Sequence, residues 1–247
     1  MYPEVAFTVG RTHVAIATHG LAVAVGVAAG FVLALRRARD PAALAAAAAT
    51  TVGALAGAHS LFRALHGGDG WFWSGGLAST GGVAGGVLAA SSVAFLTRRP
   101  LDELLDVLAP AGILALAIGR IGCFLAGCCY GRPSALPWAV VFPELGPPAR
   151  HPLQLYSAAC DVGLVLVLSR RTGSVRAACA GLGVVRFALE WFRDPAATDT
   201  LVKGWLTLPQ AAALVLVAAA VGLRASPRFD YGIASEEDAR ACPTRRA

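Results

Sequence analysis

Charge is what this sequence has least of. Asp, Glu, Lys and Arg make up 15% of its 247 residues, where a soluble domain carries roughly a quarter. Hydrophobic residues reach 56% and the mean hydropathy is +0.62. A water-facing surface cannot be assembled from this composition, which excludes the soluble globular classes. The N-terminus has no basic segment ahead of a short apolar core with a cleavage site, so no removed signal peptide is expected. No nucleotide-binding motif and no internal repeat of the transporter kind are present. The six cysteines do not form a secreted disulfide framework. Cys123, Cys128 and Cys129 form one tight group, and Cys160, Cys179 and Cys242 are scattered. A net charge of +6 would suit nucleic acid, but the arginines sit in short tracts between apolar runs rather than on one face. No nucleic-acid partner is expected.

What is present is a set of apolar stretches of membrane-spanning length, about 20 residues each. Four have no formal charge: His13 to Leu35, Pro41 to Phe62, Trp71 to Thr97 and Gly204 to Leu223. Three more carry charge: Val107 to Cys129, His151 to Ser169 and Ala177 to Phe192. The expected fold is therefore an all-α integral membrane protein of seven transmembrane helices. Arginines cluster at Arg36, Arg37 and Arg39, at Arg98 and Arg99, at Arg170, Arg171 and Arg176, and at Arg224 and Arg228. Positive residues favour cytoplasmic loops, which puts the N-terminus outside and the C-terminus in the cytoplasm. Residues 1–228 read as one membrane domain. Its segment 131–150, Pro-rich and polar with a β-like run at Trp138 to Phe142, reads as a small cap on the outer face. Residues 229–247 read as a disordered cytoplasmic tail.

Ionisable groups inside a span are costly and mark function by default. Asp106 opens the fourth span, Arg120 lies deep in it, and Asp161 lies mid-span in the fifth. Arg186, Glu190 and Arg193 are spaced four and three apart, which on a helix places them on one face. Arg186 and Glu190 could simply neutralise one another. With Arg120 added, however, positive charge is in excess near the outer leaflet, and a phospholipid phosphate would balance it. Gly81 and Gly82 repeat four residues on as Gly85 and Gly86, a pattern that serves either close helix packing or a backbone approach to a lipid headgroup.

Three motifs follow in order. The run Gly119-Arg120-Ile121-Gly122-Cys123-Phe124-Leu125-Ala126-Gly127-Cys128-Cys129-Tyr130-Gly131-Arg132 resembles the G-R-x-G-N-F-x-N-G-E-x-x-G-R signature of bacterial prolipoprotein diacylglyceryl transferases. Arg150-His151-Pro152-Leu153-Gln154-Leu155-Tyr156 resembles that family's R-H-P-x-Q-L-Y, and Arg186 to Pro195 its R-x-x-x-E-F-x-R-x-P. Asp106 and Gln210 also match, so the resemblance covers about Trp71 to Gln210. It implies transfer of the diacylglyceryl group of phosphatidylglycerol to the lipobox cysteine thiol of a prolipoprotein, with glycerol phosphate leaving. The location implied is a bacterial cytoplasmic (inner) membrane, with the active site facing the outer leaflet. No cofactor is implied. Arg120 and Arg186 would act on the phosphate as catalytic groups, and Gly81, Gly82, Gly131, Arg132, Glu190 and Arg193 would join Arg120 around the phospholipid.

The sequence departs from the family at four places, one of them Leu182, where the family has a tyrosine before its late arginine motif. Thr80 stands where the family has the histidine of its H-G-G-L motif, and a hydroxyl is a poor base. Cys123 and Cys128 replace the asparagine and glutamate of the signature. His19 and His59, both in charge-free spans, could substitute for the missing histidine, and His19 is preferred because it aligns with a family tyrosine. Cys123, Cys128 and Cys129 read as a possible disulfide or reactive-thiol site, or as small-residue packing. No histidine pair or C-x-x-C spacing completes a zinc pattern, so no metal is expected. The alternative function is a diverged paralogue that binds phospholipid but acts on another acceptor, or is catalytically inactive.

Overall fold

A computed structural model describes residues 4–9, 12–38, 40–66, 77–169, 174–194, 200–202 and 206–222. The described residues hold seven helices: α1 (Thr18–Arg37), α2 (Pro41–His66), α3 (Ser79–Thr97), α4 (Leu101–Leu125), α5 (Leu153–Ser169), α6 (Ser174–Glu190) and α7 (Leu208–Gly222). Four of them, α1 to α4, are long and apolar enough to cross a membrane. The shorter α5 and α7 are also apolar, and α6 carries Arg176, Arg186 and Glu190.

Two short antiparallel pairs qualify the all-α expectation. Strand β1 (Glu4–Val9) pairs with β2 (Thr12–Ala17), Glu4 opposite Ala17 and Val9 opposite Thr12. The first helix therefore begins at Thr18 rather than His13, because the β-branched run through Val14 and Ile16 is taken up by the hairpin. Strand β3 (Thr200–Val202) pairs with β4 (Leu206–Thr207), which delays the last helix to Leu208. Residues 71–76 and the tail 229–247 lie outside the described residues.

Helix α2 starts where its sequence says it should. Asp40 Oδ1 accepts the amides of Ala42 and Ala43 at 2.9 and 3.0 Å, ahead of Pro41 at the first helical position. Between helices the packing is close, since lipid supplies no hydrophobic drive for apolar helices to associate. On α2 and α3, a Cβ at Gly57 would lie 2.4 Å from the Gly81 carbonyl oxygen, and one at Gly85 would lie 2.2 Å from that of Gly53. Helices α1 and α4 meet in the same way at Gly26, Gly30 and Gly122. A core of Ala34, Ala43, Ala46, Ala47, Ala90 and Ala94 closes against Leu104 and Leu108.

The arginine-bearing loops gather at one end of the bundle. Arg99 pairs with Asp40 at 3.1 Å, and the Arg37 guanidinium donates to the Asp106 carbonyl at 3.5 Å. Asp106 Oδ1 accepts the Val175 amide at 2.6 Å, and Arg176 Nε donates to Ala220 O at 3.3 Å. Asp106 therefore caps the start of α6, a structural role at the end away from the signature motif.

The opposite end carries the cap. The expected β-like run Trp138 to Phe142 forms no strand; Val140 makes an isolated bridge with Arg150, as does Pro133, and Gly131 bridges Arg193. Phe142 is 1% exposed and meets Phe124 edge to face and Tyr130 at a tilt, which anchors the cap over the end of α4.

Candidate active site

Helix α4 brings Arg120 and Cys123 to the cap end and then stops. Gly127 (φ 75) and Cys129 (φ 60) both take the left-handed conformation, which turns the chain sharply after Leu125. Only Cys123 is helical, so the cysteines are not read off one helix face. Cys128 and Cys129 fold back over the helix end instead, with the Cys128 amide donating to Cys123 O at 3.1 Å. Gln154 at the start of α5 donates its side-chain amide to Cys128 O and holds this turn down.

Residues Gln154, Ser157 and Asp161 of α5 are spaced three and four apart and form one buried polar stripe. Arg186 of α6 reaches across to it, donating to Ser157 Oγ and pairing with Asp161 Oδ2 at 2.6 Å. Asp161 Oδ1 is buried without a hydrogen-bond partner among the described residues. Arg120 lies within Coulombic reach of both Asp161 and Arg186. The sequence reading flagged Asp161 but did not assign Arg186 to it, and it missed Ser157. The spacing within α5 carried the signal.

Arg193 does not continue the α6 face, because the helix ends at Glu190. It still meets Glu190, Nε to Oε2 at 2.8 Å, from the turn that follows. Glu190 Oε1 also accepts from Thr207 Oγ1 at 3.2 Å, and Thr207 exchanges bonds with Gln210 at the start of α7. Burial works against the Arg193 charge, but Glu190 and Cys129 more than offset it and hold its pKa above the ordinary value. Arg132 Nε donates to Arg193 O at 3.0 Å, and a Cβ at Gly131 would meet His151 and the Phe192 carbonyl below 3 Å. Gly131 and Arg132 thus position the Arg193 turn. Beside it Arg150 pairs with Asp194 and lies over the Tyr130 ring.

The thiols form a compact group. Sγ of Cys123, Cys128 and Cys129 all lie within 4.8 Å of one another, with Cys123 buried, Cys129 half-buried and Cys128 exposed. Hydrogen bonds from Cys123 and Cys128, then the charges of Arg120 and Arg193, pull the Cys129 thiol below its usual pKa. The same bonds, to Cys123 and then Cys129, push Cys128 up. His19, on the first turn of α1, approaches Cys123 with Nδ1 at 3.8 Å from Sγ. Gly122 permits this, since a Cβ there would lie 2.5 Å from Ala22 and 3.4 Å from the His19 backbone.

Gly81 and Gly82 are placed differently. Both face α2, Gly81 against the backbone of Gly57 and Gly82 against Ala54 and Ala58. Helix packing accounts for them, and Thr80 begins the same helix. An apolar groove between α1 and α2, lined by Gly20, Val23, Val27, Phe31, Val52 and Leu55, starts one residue from His19.

Three guanidiniums (Arg120, Arg186 and Arg193) thus face two carboxylates (Asp161 and Glu190) under a fixed cap, with thiols and an imidazole at the margin. The model of the family described as prolipoprotein diacylglyceryl transferase matches residues 4–225. Among similar proteins is the phosphatidylglycerol–prolipoprotein diacylglyceryl transferase of Methylococcus capsulatus, 40% identical over 156 residues that cover 59% of this chain and 59% of that protein. Proteins of the same name from Pseudoalteromonas translucida and Rhizobium meliloti are 37% and 39% identical, over 60% and 63% of this chain and 59% of each relative. The chain aligns with less than two thirds of the length of each. With the match running through all seven helices, the chain belongs to the prolipoprotein diacylglyceryl transferase family.

Proposed function

We propose that this protein transfers the diacylglyceryl group of phosphatidylglycerol to the lipobox cysteine thiol of prolipoproteins, at the outer face of a bacterial cytoplasmic membrane. The observation that carries the reading is the unbalanced guanidinium charge. Among the described residues, Arg186 is paired with Asp161 and Arg193 with Glu190, which leaves Arg120 beside them as the surplus cation. A phospholipid phosphate balances it. In the reaction the substrate thiol sulfur attacks the diacylglyceryl carbon that carries the phosphate ester, that carbon–oxygen bond breaks, and glycerol phosphate leaves with the thiol's proton. Arg120 and Arg186 would stabilise the negative charge that develops on the departing oxygen, and the cap and the α5 stripe would hold headgroup and thiol in register. The groove between α1 and α2 would take an acyl chain. Seven membrane crossings with the arginine-rich loops in the cytoplasm, as positive residues favour, would support an outer-side location for this site.

A phospholipid-binding protein without transfer activity is the second reading, favoured by Thr80 at the family's histidine position. One assay separates them. Purified protein is given phosphatidylglycerol and a lipobox peptide, and glycerol phosphate release is followed for the wild type, Arg120→Ala and His19→Ala. Peptide-dependent release that disappears in Arg120→Ala is the expected result. Phospholipid binding that needs Arg120 but yields no release would leave the second reading.

A further inference from the structure

The cysteine group has no part in that chemistry, yet it is the most concentrated set of soft ligands among the described residues. Cys123 comes from α4, Cys128 and Cys129 from the turn after it, and His19 from α1. The sequence separates His19 from Cys123 by more than a hundred positions, so spacing alone concealed the fourth donor. We propose that Cys123, Cys128, Cys129 and His19 Nδ1 form a tetrahedral site for a thiophilic divalent cation of the zinc class, which ties α1 to the end of α4 next to Arg120.

The geometry is close to what such an ion requires. Zinc–sulfur bonds of about 2.3 Å and zinc–nitrogen bonds of about 2.0 Å place tetrahedral donors roughly 3.6 to 3.8 Å apart. His19 Nδ1 is already 3.8 Å from Cys123 Sγ, and no two of the three sulfurs are more than 4.8 Å apart. His19 stands outside the group that the three sulfurs form, so its imidazole must turn about χ1 and χ2 to reach Cys128 and Cys129 as well. The backbone is shaped for it as well. The left-handed Cys129 (φ 60) directs its thiol back toward Cys123, and Gly122 lets the His19 backbone lie against α4. Gln154 fixes the Cys128 carbonyl, an outer contact that keeps the ligand turn in place.

Charge favours occupancy. Three thiolates, one imidazole and a divalent ion leave one negative charge, less than the thiolates alone would carry, and Arg193, which the site would share with Glu190, lies within Coulombic reach of Cys129. The exposed Cys128 supplies an entry path for the ion. A site with four protein ligands is closed, which is the structural rather than the catalytic pattern. The ion would therefore stabilise the fold around Arg120 and would take no part in the transfer step. It would also protect three adjacent thiols from pairing with one another in an oxidising compartment.

The test uses the full chain purified under reducing conditions without chelator. Elemental analysis is expected to find about one zinc per chain. Replacement by cobalt(II) should give thiolate-to-cobalt charge-transfer bands in the near ultraviolet and tetrahedral d–d bands in the red. Cys129→Ser and His19→Ala should each lose the metal at least tenfold more readily to a competing chelator. Arg120→Ala should keep it while losing glycerol phosphate release, so the metal site and the transfer reaction fail separately. Should the cysteine variants not fold, cobalt titration of the wild type alone decides. Absent cobalt bands, alkylation of all three thiols in freshly reduced protein at full metal load, or a disulfide among them in place of metal, would overturn the proposal.

Discussion

Removing one partner from a desolvated ion pair costs more than the pair contributes, because a charge is left where water cannot reach it. Asp161 is fully buried and Arg186 half-buried, and their contact sits inside the apolar bundle. Asp161→Ala is expected to destabilise the protein by on the order of 3–5 kcal/mol, seen as a lowered unfolding midpoint in detergent. The Arg99–Asp40 pair at the other end is more than a third exposed on both sides. Arg99→Ala should shift stability by less than about 1 kcal/mol in the same measurement. For Arg120, charge and shape can be told apart. Arg120→Lys keeps the charge and loses the planar fork, so one charge-assisted hydrogen bond to phosphate goes. At about 1.5–3 kcal/mol for such a bond, turnover should fall roughly ten- to hundredfold without reaching the Arg120→Ala level.

At the scale of elements, glycine decides how near the helices come. The α2–α3 crossing has backbone against backbone at Gly57 and Gly81, while Gly82 has ordinary clearance, its nearest neighbour 3.4 Å from a built Cβ. Gly57→Ala should therefore force the helices apart at a cost of about 1–3 kcal/mol. Gly82→Ala should be close to neutral for stability. Thermal unfolding of the two variants side by side checks this, and equal losses would contradict the crossing described. Asp106 joins two elements by accepting the Val175 amide at the start of α6. Asp106→Ala should loosen that start by about 1–2 kcal/mol, read as faster amide exchange in the first turn of α6.

Over the whole molecule the two ends differ in kind. One end collects arginine-bearing turns held by Arg99–Asp40 and Arg176–Ala220, and the other carries the cap, the arginine cluster and the thiols. On the proposed orientation, with the arginine-bearing end in the cytoplasm, an impermeant maleimide should label Ser134→Cys from outside, above the signal of the parent protein. Arg98→Cys should label only after lysis. The reverse pattern would invert the orientation and move the site to the cytoplasmic face.

Apolar length and motif spacing are local properties, so the sequence alone carried the membrane class, the helical segments and the family. It misjudged ends where neighbours intervene. His13 to Ala17 went to a hairpin, and Cys128, Cys129 and Arg193 lie on turns beyond their helices. Within α5 the polar stripe was legible at spacings of three and four, although its partner Arg186 was not. Only the tertiary structure decided which charges pair, that Gly81 and Gly82 face α2, and that His19 stands over Cys123. Those are contacts between segments far apart in the chain, set by how closely glycine lets the helices approach, and no local pattern encodes them.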